Sequence, residues 1–249
     1  MKISRRVESF LLNEKNRLKT QCKHGFRDCG CVKEFKLQLE MAKAAIPQKF
    51  WHYTFDSLLP QNKISKMTIS KFQKYAKNMP KVYEKGIGLF LYGDSGSGKT
   101  CSSSIILKEA IKVGYSTHFT MLSEIITVFA EGWYDADRRM EFVDNICEVD
   151  FLVIDDVGRE FRSTKSDLNR AAFDSVFRGR ANDNLPTIIT SNFNFLDDDR
   201  GSEDEMNLAR EYGHNLISLF KEHLIECPLI GFDFRTKHIA PTLESILDE

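Results

Sequence analysis

GDSGSGKT, at residues 93–100, fits G-x-x-x-x-G-K-[ST] without exception, follows the apolar run LFLY and precedes a helix-forming segment. Glycines let a backbone fold tightly enough to turn its N–H groups onto phosphate oxygens. The helix that follows presents its positive end to the same oxygens. In such a loop Lys99 reaches the β- and γ-phosphates of a nucleotide, and the Thr100 hydroxyl serves Mg²⁺. The expected nucleotide-binding set is therefore Gly93, Asp94, Ser95, Gly96, Ser97, Gly98, Lys99, Thr100 and the adjoining Cys101. A chance match in a Gly/Ser loop is the competing reading, and the flanking strand and helix signals argue against it.

Two further apolar runs end in polar residues downstream of this loop. VDFLVIDDVG, residues 149–158, reads as a buried parallel strand whose C-terminal end carries two carboxylates. Asp155 is placed to hold Mg²⁺, and Asp156 to orient or deprotonate an attacking water. PTIITSN, residues 186–192, ends in Ser191 and Asn192, polar groups suited to a hydrolytic water or a γ-phosphate; an Asn that caps the next turn is the bland alternative.

From residue 86 onward short apolar runs alternate with longer amphipathic ones, the pattern of βαβ units and a parallel sheet. The spacing predicts strands over 88–92, 116–120, 151–154, 187–190 and 224–230. It predicts helices over 100–113, 122–130, 138–147, 166–180 and 203–223. Upstream, Ile64, Thr68, Phe72, Tyr75 and Met79 recur at helical spacing until Pro80, which is expected to end that helix. Composition divides the chain into a basic module at 1–46, an aromatic lead-in and helix at 47–85, and the α/β domain at 86–249.

The order of these elements, a P-loop, then a strand ending in Asp-Asp, then one ending in Ser-Asn, resembles the AAA+ ATPases. IDDVG and PTIITSN are similar in particular to the helicase-loader and transposition-helper branch typified by DnaC, DnaI and IstB. The resemblance covers about residues 47–240, and includes IPQKFWHYTFDSL (46–58) and GFDFR (231–235). It implies an α/β fold, an AAA+ P-loop NTPase with a parallel sheet flanked by helices, preceded by a small helical module. It implies ATP and Mg²⁺ as cofactors, assembly into a homo-oligomer, binding to single-stranded DNA and a replicative helicase as protein partner. Lys99, Asp156 and Asn192 are the expected catalytic residues.

CKHGFRDCGC, residues 22–31, offers Cys22, His24, Cys29 and Cys31 as a set for tetrahedral Zn²⁺, a staple that a module this short would use. The alternative is a group of reduced surface cysteines, the ordinary state in a cytosolic chain. Loaders of the resembled group carry zinc modules ahead of the ATPase domain, which favours the metal. Cys101 and Cys147 read as small apolar helix residues.

The net charge of −1 over 249 residues conceals an asymmetry. Residues 1–36 carry ten Lys or Arg against four acids, and residues 61–85 seven Lys against one Glu. Lysine-rich segments attract phosphate backbones, although a solvated face is the commoner meaning of a charge run. No apolar stretch approaches the roughly 20 residues a membrane helix needs, and the N-terminus lacks a signal-peptide core, so no membrane partner and a cytoplasmic location are expected.

Three functions compete: a replicative helicase loader, a transposition helper that binds duplex DNA, and a small P-loop kinase. The kinase reading lacks a lid with paired arginines. The cysteine cluster favours the loader over the helper. In the resembled family an arginine before the final strand reaches the neighbouring subunit's nucleotide. Here Ser218, Leu219 and Phe220 stand near that place, with Lys221, Arg210 and Arg235 the nearest cations. Slow hydrolysis is the expected consequence.

Overall fold

The computed structural model describes residues 5–23, 29–60, 62–131, 136–158, 166–193, 208 and 212–231. Two helices open the chain, α1 (Arg5–Gln21) and α2 (Gly30–Lys43). Two short 3-10 turns, Gln48–Phe50 and Phe55–Ser57, lead into α3 (Lys63–Lys77) and α4 (Met79–Glu84). The α/β portion then runs β1 (Gly88–Tyr92), α5 (Lys99–Val113), β2 (Thr117–Met121), α6 (Leu122–Glu131), α7 (Ala136–Glu148), β3 (Phe151–Val157), α8 (Ser166–Asn182), β4 (Thr187–Ser191), α9 (His214–His223) and β5 (Leu224–Pro228).

Among the described residues five strands form one parallel sheet in the order β2-β3-β4-β1-β5. β1 and β4 lie side by side in the interior of the sheet and are covered on both faces, so their residues, GLFLY and TIITS, are buried almost throughout, the only partly exposed one being Tyr92. On one face Leu89, Leu91, Val153 and Ile188 meet Ile105 and Ile106 of α5, and the same buried cluster takes in Phe72, Met79, Trp51, Met41 and Leu11. On the other, Phe90, Leu152, Ile154 and Ile189 meet Ile125 of α6, Phe173 and Phe177 of α8 and Phe220 of α9. Burial of each such side chain stabilises by about 1.5–3 kcal/mol.

Three expectations are corrected. The helix through Thr68 and Phe72 stops at Asn78, and Pro80 sits in the first turn of a second helix, where its missing N–H costs nothing. The long helix over 203–223 is broken at Gly213, whose φ of 84° no helix accommodates; the described helix begins at His214, and residues 203–207 and 209–211 lie outside the described residues. The fifth strand ends at Pro228 rather than Ile230, although the Leu229 N–H still donates to the Tyr92 carbonyl at 2.7 Å.

The N-terminal helices continue into the sheet's own layers. The Phe10 and Trp51 rings meet edge to face at 5.8 Å, the Trp51 Nε1–H donates to the Ile46 carbonyl at 2.9 Å, and the Phe119 N–H of β2 donates to the Ala44 carbonyl at 2.8 Å. From α5, the buried Lys108 ammonium donates to the carbonyls of Trp51 and Tyr53. Burial pushes the Lys108 pKa below its ordinary value. The helix that follows the phosphate loop is therefore tied to the aromatic lead-in segment.

Candidate nucleotide site

β1 ends at Tyr92 and the chain turns at Gly93, where φ is 141° and a Cβ would sit 2.0 Å from the Leu229 carbonyl oxygen. Only glycine fits beside the neighbouring strand exit. The loop closes through the Ser97 N–H, which donates to the Asp94 carbonyl at 3.2 Å, and Gly98 enters α5 with φ of 90°. The expected loop residues therefore stand together between a strand exit and a helix N-terminus, as the spacing required. Cys101 is buried in the first turn of α5, and burial pushes its thiol up to about 12.

Lys99 is buried at 8% exposure, its ammonium donating to the carbonyls of Gly93 at 2.8 Å and Asp94 at 2.7 Å and to Ser97 Oγ at 3.3 Å. The cation lies inside the curl of its own loop and holds the loop's shape.

The Thr100 hydroxyl donates to the Asp155 carboxylate, 3.1 Å from Oδ1 and 3.2 Å from Oδ2, bringing residues 55 apart in sequence into one cluster. Asp155 also accepts a 2.6 Å bond from the Thr190 hydroxyl, which in turn accepts from the Asp156 N–H at 2.9 Å. Thr190 thus fixes both carboxylate residues. The sequence points to the Ser191-Asn192 pair instead; Thr190 is one of three hydroxyl residues in TIITS, and nothing in that run singles it out.

Burial raises the Asp155 pKa, opposed by its bonds from Thr190 and Thr100; the neighbouring Asp156 raises it further and Lys99 lowers it. A carboxylate held with its charge so poorly solvated is set up to take a cation. Asp156 has φ of 64°, in the left-handed region that non-glycine residues seldom occupy. The pairing of β3 with β4 slips there: Ile154 faces Ile189 but Val157 faces Ser191, one residue extra on β3. This bulge sets Asp156 apart from the regular alternation of the strand.

At the end of β4, Ser191 is fully buried, its hydroxyl donating to the Val157 carbonyl at 2.7 Å and accepting from the Phe193 N–H at 3.0 Å. Its hydroxyl is committed to the fold. Asn192, the next residue, is exposed.

Asp94 carries a second link. Its Oδ2 accepts from the Gly231 N–H at 2.9 Å, and the adjoining Ile230 carbonyl accepts from Asn62 Nδ2 at 2.9 Å. The Asn62 side chain also caps α3 by accepting from the Ser65 N–H at 2.8 Å. One chain of hydrogen bonds thus runs from the phosphate loop through the exit of β5 to the start of α3.

Away from this site, the thiols of Cys22, Cys29 and Cys31 lie within 4.8 Å of one another, with Cys22 Sγ and Cys29 Sγ 3.2 Å apart. Burial, and then the two neighbouring thiols, raise the Cys31 pKa. His24 lies outside the described residues, as do Arg210 and Arg235. On α9, Ser218 and Lys221 are exposed and Phe220 is buried. No helix among the described residues is long and apolar enough to cross a membrane.

The chain matches the IstB-like ATP binding protein family over residues 23–209, about three quarters of its length. It is 29% identical over 133 residues to the replicative helicase loader DnaI of Bacillus subtilis (strain 168), a stretch covering 51% of this chain and 42% of that protein, so less than half of the relative's length is matched. Its fold is similar to the crystal structure of the DnaC helicase loader, with a TM-score of 0.62 and 25% identity over 74% of this chain and 99% of that one. The replication initiator DnaA bound to AMPPCP and single-stranded DNA shares the fold at a TM-score of 0.55 and 22% identity, over 80% of this chain and 56% of that one. With its five-stranded parallel sheet, phosphate loop and acid-tipped third strand, the chain is an AAA+ P-loop protein belonging to the IstB-like ATP-binding family.

Proposed function

We propose that the protein is a replicative helicase loader that binds ATP and single-stranded DNA, assembles as a homo-oligomer and hydrolyses ATP slowly. The observation that carries this reading is the joining of Thr100 to Asp155 at the mouth of a fold that parallels the DnaC helicase loader over nearly all of that chain.

The phosphate loop supplies backbone N–H groups to the phosphates, with Lys99 released from its carbonyl partners to the β- and γ-phosphates. Thr100 and Asp155 would hold Mg²⁺, for which a hydroxyl beside a poorly solvated carboxylate is a suitable set of hard oxygen donors. The metal supplies charge neutralisation on the phosphates when bound. Asp156, at the bulge, orients or deprotonates the attacking water, and Asn192 helps to position it. No arginine stands at Ser218, Leu219 or Phe220, where a finger worth about 10³ to 10⁵ in rate is expected, so ATP acts mainly as a binding switch. We further assign Zn²⁺ to Cys22, Cys29 and Cys31 with His24 as fourth ligand, on the strength of three thiols already gathered at one point. The basic module at 1–46 is then the partner-binding part, 47–85 the linker and lead-in helix, and 86–249 the ATPase domain.

A transposition helper is the second reading, favoured by the family match itself. The deciding experiment mixes the purified protein with its host's replicative helicase, ATP and circular single-stranded DNA, and scores helicase on the circle. ATP-dependent loading is expected. A protein that loads no helicase, and instead stimulates a transposase on duplex DNA, contradicts the loader reading.

A further inference from the structure

The lead-in helix α3 carries a surface that the nucleotide site does not use. Its buried side, Ser65, Thr68, Phe72 and Tyr75, is turned to the body of the protein. There the Thr68 hydroxyl donates to the Pro228 carbonyl at 2.8 Å, and the Lys71 ammonium to the Glu226 carbonyl at 3.1 Å. With Asn62 on Ile230, three side chains fix the helix along the outer edge of β5.

The opposite side is lysine. Lys63, Lys66, Lys74 and Lys77 are all exposed, and at 3.6 residues per turn they fall on a stripe about 80° wide and about 21 Å long. No acid stands anywhere on α3. Among the described residues none of these four lysines forms an ion pair. Like charges three residues apart, as in Lys63 with Lys66 and Lys74 with Lys77, weaken a helix by a few tenths of a kcal/mol. The fold bears that cost while the rest of the chain, outside its two basic segments, is strongly acidic. A row of ammonium groups on a helix that carries no acid, fixed to the sheet edge, matches a linear polyanion. Beside the stripe Ile64 and Met67 are exposed at 48% and 57%, apolar surface that can meet splayed bases, which a duplex keeps stacked inside.

We infer that the Lys63, Lys66, Lys74 and Lys77 face of α3 binds the phosphate backbone of single-stranded DNA along the outer edge of the sheet. This rests on the loader reading, which requires single-stranded DNA binding but says nothing of where it takes place.

The test replaces all four lysines with glutamine, which keeps helix propensity and removes the charge. Binding to a fluorescently labelled oligo-dT is then measured by anisotropy over a range of salt concentrations, with a duplex of equal length alongside. Expected is at least a tenfold fall in oligo-dT affinity at low salt and a fall of about 2–3 in the slope of log K against log salt, near 0.7 for each phosphate no longer neutralised. ATP binding and the thermal midpoint should be unchanged, which separates removal of charge from damage to the fold. A wild-type protein that binds oligo-dT with the variant matching it in affinity and slope overturns this assignment and leaves the loader reading intact. A wild-type protein with no affinity for oligo-dT contradicts the loader reading itself. Equal weakening for duplex and single strand overturns the commitment to single strands. Unchanged DNA binding with impaired self-association makes the face an interface between copies of the chain, and overturns the assignment as well.

Discussion

Lys99 has partners within its own loop, the carbonyls of Gly93 and Asp94, so its removal acts on both binding and the loop. Lys99→Ala should lower ATP affinity by about a hundredfold, the equivalent of one or two charge-assisted bonds, and reduce stability by about 1 kcal/mol as the loop loses its central cation. Calorimetric titration with ATP and urea unfolding measure the two; unchanged ATP affinity would remove the basis of the site. The two carboxylates should separate in the same way. Asp156→Asn is expected to keep Mg-ATP binding and slow turnover by about 10² or more, as loss of a general base does, whereas Asp155→Asn weakens Mg²⁺ dependence first. Identical phenotypes would show that the roles are not divided. The residue types and spacing of the loop and of IDDVG make these positions legible in the sequence, because each backbone or ion interaction demands a particular side chain. Lys99's burial and the bridging by Thr190 are not legible. Both depend on how β1, β3 and β4 lie side by side, and local sequence carries no record of strand order.

At the scale of elements, β3 and β4 are held by a side chain from α8. Arg180 is fully buried and donates to the carbonyls of Ile146, Cys147, Val149, Asp150 and Pro186 and to the Thr187 hydroxyl, pinning the end of α7 and the entries to β3 and β4. Burial pushes its pKa down to about 10. Arg180→Met should destabilise by about 3–5 kcal/mol, because five carbonyls lose their donor at once inside the protein. Denaturant unfolding reads this directly, and a loss under 1 kcal/mol would show that the carbonyls find other donors. In the sequence Arg180 is one more basic residue of an amphipathic helix, since nothing in a periodicity distinguishes an arginine that snorkels from one that is enclosed. Helix and strand types are legible from period alone. Breaks at Asn78 and Gly213 are not, because a proline ends one helix and starts another equally well, and a glycine within a long amphipathic run is silent until its φ is known.

Over the whole molecule, α1, α2 and the aromatic lead-in share one buried cluster with α5 and the sheet, through Leu11, Met41, Trp51 and Ile105. Composition separates a basic head from an ATPase body, but burial is decided by apolar positions, and those are continuous across the change in charge. Zinc at the head has a direct test: elemental analysis is expected to find about one equivalent of metal, and Cys29→Ser should lose it while ATP binding persists. Metal-free protein with its N-terminal helices intact would dismiss the site. At the centre of the proposed function is the use of ATP as a binding switch with little turnover. Steady-state ATPase activity, measured over a wide range of protein concentration with and without single-stranded DNA, tests it most directly. Saturable Mg-ATP binding with turnover that stays slow at every concentration, and is raised only weakly by DNA, is the predicted result. Turnover that climbs steeply as the protein assembles would contradict it, and would identify Lys221, Arg210 or Arg235 as a residue acting across the interface.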